Sequence, residues 1–234
     1  MSEIQNDKPT LLKAIELILA EPTVIKKEAL SLKDKYSKKH QNSKSADEIN
    51  EMIIDKIISN YSYYTAFVGG ATALTGIIPG LGTVVATFGG ATADAAMSMK
   101  YQIEMTMAIA TICGHDIETE EQKRICLIVA GLGAVNEAAK EGGKQVGTKA
   151  FIKIAQQQLK GATLIAVKEI FKKVGITFTR KAVEKAIPFG IGVVIGFTAN
   201  KGLTYYVGHK VKGFFLLTES IEITEWKSTT HNTV

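Results

Sequence analysis

The sequence predicts an all-α protein, a compact multi-helix bundle with two apolar helical hairpins cornered by glycine and proline. Three observations carry this. Proline is scarce, four in 234 residues, and no alternating β-branched runs stand between turn signals. Apolar residues recur at steps of three and four, the spacing of a buried helical stripe. Finally, 37 consecutive residues from Ile57 to Ala93 carry no formal charge and are crowded with glycine, alanine and threonine. An ordinary soluble domain is about a quarter charged and rarely runs that long without a solvated charge.

The elements follow in order. Thr10 is placed to cap a short helix carrying Leu11, Leu12, Ile15, Ile18 and Leu19, ended by Pro22. A lysine-rich helix runs from Thr23 to about Lys39, and a polar linker from His40 to Lys44. Ser45-Ala46-Asp47-Glu48 reads as a capping box launching Ile49, Met52, Ile53 and Ile57. The uncharged stretch then breaks at Ile78-Pro79-Gly80. It is long enough for one spanning helix, which needs about 20 residues, but short for two. A second arm is expected to continue past Asp94 to about Cys113 as one helix, with Met97, Tyr101, Met105, Ala108 and Ile112 as its stripe. Gly114 ends it by supplying a left-handed residue. Thr119-Glu120-Glu121-Gln122 is a second capping box, starting the helix of Ile125, Leu127, Ile128 and Val129. Two basic helices follow: one with Val146, Ala150, Ile154 and Ala155 on one side and Lys149 and Lys153 elsewhere, the other burying Leu164, Val167, Ile170 and Phe171. The uncharged run from Ala186 to Asn200 turns at Ile187-Pro188-Phe189-Gly190, and a helical run from there reaches Phe215. The two corners match without a gap: Ile78, Pro79, Val84, Val85 and Phe88 fall on Ile187, Pro188, Val193, Val194 and Phe197. Both also carry small-xxx-small spacing, Gly76 to Gly80 and Gly192 to Gly196, which lets helix backbones approach closely.

Charge is unevenly spread. Residues 143–213 hold thirteen bases against two acids, a net +11 within a chain of net +5. Such a segment attracts an anionic surface, whether phospholipid, nucleic acid or an acidic protein face. Only Arg124 and Arg180 are arginine among 28 bases. Specific base reading leans on arginine forks, so lysine dominance argues against sequence-specific nucleic-acid recognition. The polar start has no signal-peptide pattern, and Cys113 and Cys126 form no C-x-x-C pair, which points to a reducing, cytosolic setting.

The catalytic inventory is thin. His40, His115, His209 and His231 are scattered without metal-ligand spacing, so no metal and no cofactor is implied. Cys113 and His115 lack an evident orienting group. Gly131-Leu132-Gly133 follows no strand, which removes the dinucleotide reading, and Gly142 to Lys149 reverses the order of a phosphate loop. Asp94 is the first charge after the neutral stretch, and a carboxylate among alanines on a buried helix needs a partner. It is expected to form a buried polar link together with Gln102 and Asn200, or, as a lesser alternative, to serve an enzyme.

The order Gly76-Ile77-Ile78-Pro79, Asp94, Tyr101-Gln102-Ile103, Ile109-Ala110 and Cys113-Gly114-His115-Asp116 resembles the core of the EcsC protein family. The later series Ile187-Pro188, Gly192, Gly196, Asn200, Val207-Gly208 and Phe214 is similar to that family's C-terminal signature. The resemblance spans residues 65–215 and implies an all-helical, membrane-associated bacterial protein, named after a component encoded beside an ABC transporter. It carries over no catalytic residues.

Together these readings divide the chain into N-terminal helices (1–44, a partly lysine-rich appendage), an EcsC-like helical domain (45–217) and a polar, frayed tail (218–234). The functional expectation is a non-enzymatic accessory protein, peripheral to the cytoplasmic face of the inner membrane, with a transporter complex as a candidate partner. Ile77, Ile78, Pro79, Leu81, Ile187, Pro188 and Phe189 are its membrane contacts. Lys149, Lys153, Lys168, Lys172, Lys173, Lys181 and Lys185 attract anionic headgroups or an acidic partner. The alternative is a soluble interaction protein, such as an immunity or inhibitor protein against a toxin, binding an acidic protein partner.

Overall fold

A computed structural model describes residues 8–40, 42–68, 76–138, 147–159, 163–184 and 200–217. Among them the chain is all-α, with helices α1 (Thr10–Glu16), α2 (Pro22–His40), α3 (Ala46–Ala66), α4 (Leu81–Phe88), α5 (Gly90–Ile112), α6 (Glu120–Ala138), α7 (Thr148–Leu159), α8 (Thr163–Glu184) and α9 (200–217). The stretches around Pro188 and beyond residue 217 lie outside the described residues, so the second corner and the tail of the sequence reading do too.

Local chemistry sets several boundaries. Pro22 opens α2, where its missing N–H has no helical partner to lose. The Ser45 box forms as read: the Ser45 hydroxyl accepts the Glu48 amide at 3.2 Å, and Glu48 accepts the Ser45 amide at 2.8 Å. The second box is half made, with Thr119 Oγ1 accepting the Gln122 amide at 3.3 Å while Gln122 Oε1 finds no partner. Gly114 sits at φ +88°; its amide bonds Thr111 O and that of His115 bonds Ala110 O, a Schellman closure of α5. Thr10 does not cap α1: Pro9 holds the N-cap position and Thr10 is the first helical residue.

The second arm is not one helix. Gly89, at φ +82° and ψ 162°, interrupts it between α4 and α5. That backbone conformation is open chiefly to glycine, and the adjacent Gly89-Gly90 pair lets the chain fold so that α4 packs on α5.

Helix α5 is the axis of the fold. From Ala95 to Ile112 every residue except Tyr101 is buried, and α1, α2, α3, α4, α6 and α8 all pack on it. A helix covered all round is a core helix, which explains why apolar residues occur on all its faces. Three pairings fix the register around it. Tyr61 meets Tyr101 on α5, Gln102 reaches Thr204 on α9, and Gly208 lies against Ile58 and Met105. Numbers on α3 fall as those on α5 and α9 rise, so α3 is antiparallel to both. The last turn of α3, the first turn of α9 and the start of α5 therefore share one end of the bundle.

Two further differences from the sequence reading have packing causes. Helices α1 and α2 are built into the main core instead of forming an appendage: Leu11, Leu12, Ala14, Ile15, Ile25 and Ala29 join the same buried cluster as α5. Helix α7 buries Phe151, Ile152 and Ala155, while Ala150 and Ile154 face outward. The large aromatic ring of Phe151 decides which face turns inward.

Candidate functional site

The first corner is a fixed base with an exposed tip. Gly80 adopts φ +81°, and a Cβ there would lie 2.2 Å from the Leu17 carbonyl oxygen, so only glycine lets the corner seat against the end of α1. Leu81 and Val84, just beyond, are fully buried. Ile78 is half-buried against the core, while Ile77 and Pro79 are exposed, Ile77 at 74%. Leu81 was expected at the tip; the helix starting there turns it inward, and it belongs to the base. Leu17, beside Gly80, also exposes half of its side chain. Ile187, Pro188 and Phe189 lie outside the described residues.

The lysines fall on two touching helices, α7 and α8. Lys149, Lys153, Lys172 and Lys173 are exposed and Lys168 is half-exposed. Nothing is described of the Lys181 side chain or of Lys185. The remaining bases of the +11 segment on α9 are engaged within the fold. Lys212 pairs with Asp55 at 2.8 Å and Glu51 at 3.4 Å. Burial lowers its pKa, but the Asp55 hydrogen bond and the two negative charges outweigh that and raise it. Lys210 donates to Thr148 Oγ1 at 3.2 Å, and burial pulls its pKa down. Lys201 stands 3.8 Å over the ring of Tyr63.

Of the polar residues singled out in the sequence, Gln102 and Asn200 tie elements of the fold together. Gln102 is fully buried and reaches Ser98 and Thr204, linking α5 to α9. Asn200 Nδ2 donates to Val68 O at 2.8 Å, tying the start of α9 to the chain just past α3. Asp94 is half-buried and engaged, on the first turns of α5. Lys100, further along the same helix, bonds Glu104 at 2.5 Å. That pair escaped the sequence reading, although its i,i+4 spacing inside an otherwise apolar stripe was a usable signal. Glu104 also accepts the Ala20 amide at 2.9 Å, and Tyr61, Tyr64 and Tyr101 crowd beside it. Burial, followed by the Glu104 charge, drives the Tyr61 phenol far above its ordinary range.

Among the described residues, no group of three or more His, Cys, Asp or Glu is placed to hold a metal ion. His115 packs its ring against Phe215 with centroids 5.0 Å apart. Burial pushes the Cys126 thiol up to about 12, the state of an inert core cysteine. Gly131 and Gly133, the residues of the discarded dinucleotide reading, are packing glycines: Cβ atoms there would meet Ile170 at 2.5 Å and Val207 at 3.0 Å. No helix of the described residues is long and apolar enough to cross a membrane. None of the family models, curated proteins or solved structures compared with the chain matches it.

Proposed function

We propose that this chain is a non-enzymatic, EcsC-like accessory protein that docks on the cytoplasmic face of a membrane through an apolar corner and a lysine flank. One observation carries the reading: Ile77 is the most exposed large apolar side chain among the described residues, and it stands on a corner whose base is locked by Gly80 and Leu81. A rigid base under an exposed isoleucine and proline suits shallow insertion, since no ordering cost falls on the corner at the moment of binding. The exposed lysines of α7 and α8 add attraction of about 1 kcal/mol each where they come near an anionic surface. The second reading, an interaction protein for an acidic partner, draws support from Leu81 and Val84, which are buried in the protein's own core.

Flotation of the purified protein with phosphatidylglycerol vesicles, beside the Ile77→Asp variant, tests the proposal. The wild type rises with the vesicles and Ile77→Asp remains behind with unchanged helicity. Equal behaviour of the two excludes the corner as the contact.

A further inference from the structure

Val68 follows the end of α3 and Asn200 opens α9, and the 2.8 Å bond from Asn200 Nδ2 to Val68 O ties these two points together. Thr65 Oγ1 adds a contact to the Asn200 carbonyl at 3.5 Å. The end of α3 and the start of α9 therefore meet at one end of the bundle. That end is ringed by aromatic side chains. Tyr63, Tyr64 and Phe67 occupy the last turn of α3 and its C-cap, exposed at 50%, 49% and 68%, and Tyr205 on α9 is exposed at 53%. Lys201 bridges the two helices over the Tyr63 ring, and one turn further Tyr205 packs edge-on against His209 at 4.4 Å.

We infer that this end is an interfacial belt, formed by Tyr63, Tyr64, Phe67, Lys201 and Tyr205, that seats at the headgroup level of an anionic bilayer. The inference rests on the membrane reading above and adds where the membrane lies. Two features choose lipid over a protein partner. Tyrosine joins an apolar ring to a polar tip and concentrates where water meets hydrocarbon. The contributing stretches are also without carboxylates: no acid occurs from Ile57 to Ala93 or from Ala186 to Thr218, while Lys201 supplies a cation. The belt is thus complementary to a negative surface, and Lys201 can reach a headgroup without leaving its ring.

The test uses the single tryptophan of the chain. In the full-length protein carrying Trp226→Phe, the added changes Phe67→Trp, Tyr205→Trp and, on the outer face of α2, Ser31→Trp report three places. Vesicles of phosphatidylcholine and phosphatidylglycerol with brominated acyl chains quench whichever indole reaches them. The inference expects quenching in the F67W and Y205W proteins and none in the S31W protein. Lys201→Gln is expected to weaken vesicle binding about fivefold, the equivalent of one lysine near the surface. Proteins that bind vesicles with positions 67 and 205 unquenched overturn the belt and leave the docking proposal standing. Failure of the unmodified protein to bind any vesicle overturns both.

Discussion

Lys100 and Glu104 form a charge pair 2.5 Å apart, one turn from each other on the central helix, with side chains only 11% and 5% exposed. A buried pair is held less by its own attraction than by the cost of leaving either charge alone. Glu104 does more than neutralise Lys100, because it also receives the Ala20 amide between α1 and α2 and so joins the N-terminal helices to α5. Glu104→Gln keeps an acceptor for Ala20 and strands the ammonium. It is expected to destabilise the protein by about 3–5 kcal/mol in urea unfolding. Adding Lys100→Met should recover most of that loss; if the double variant is as unstable as the single, the stranded charge is not the cause.

Glycines at the helix crossings set the spacing of the bundle. A Cβ at Gly208 would stand 2.8 Å from Ile58 and 3.1 Å from Met105, whereas one at Gly82 meets nothing within 4 Å. Gly208→Ala should cost about 1–3 kcal/mol through overpacking, while Gly82→Ala on α4 is expected to be neutral or to stabilise by up to about 1 kcal/mol. Gly80→Ala combines a disfavoured φ with a clash against the Leu17 carbonyl and should exceed both. Thermal melts of the three variants give the order directly.

The pH dependence follows from three held carboxylates. The Lys26 hydrogen bond, helped by the Glu118 amide, keeps Asp116 below its ordinary 3.8. The Ser45 amide keeps Glu48 below 4.5, and Lys123 does the same for Glu120. A carboxylate with a depressed folded pKa contributes stability that is complete above its unfolded value and disappears as pH falls through the folded value. Stability should hold steady from neutral pH down to about 5 and then decline toward the acid range. At the other limit, Lys26 is raised above 10.5 by Asp116 and then Glu118, so its contribution is lost only when pH climbs past that folded value. In carboxyl-resolved NMR, Lys26→Gln should move the Asp116 midpoint upward; an unmoved midpoint would show that the pair is not formed in solution.

Thiol chemistry separates the two cysteines. Cys113 is partly exposed at the end of α5, whereas Cys126 is fully buried with a thiol pushed up to about 12. A disulfide reagent should titrate Cys113 in the native protein and Cys126 only after unfolding. Rapid native labelling of Cys126 would contradict its place in the core.

Much of the helical order was legible because capping and periodicity are local properties. Ser45-x-x-Glu48 and Gly114 act through neighbours a few residues away, and both perform as their sequences indicate. The break at Gly89 was not legible, since a Gly-Gly pair inside an apolar helix is silent until packing chooses a positive φ for one member. The same limit hid the role of Glu104, whose partner Ala20 is 84 positions away, and the burial of Leu81, which depends on α1 standing beneath the corner. Of the site, the exposed Ile77 and the α7 and α8 lysines were readable from composition and spacing. The aromatic end was not, because Tyr63 and Lys201 meet only when α3 and α9 are laid antiparallel.

Equilibrium partitioning of detergent-free protein between buffer and unilamellar vesicles, with and without phosphatidylglycerol and across a range of ionic strength, tests the central claim most directly. Membrane docking by corner, lysines and belt predicts binding that saturates on anionic vesicles, weakens as salt rises and is slight on phosphatidylcholine alone. Protein that stays in the aqueous phase with both lipids at low salt contradicts it.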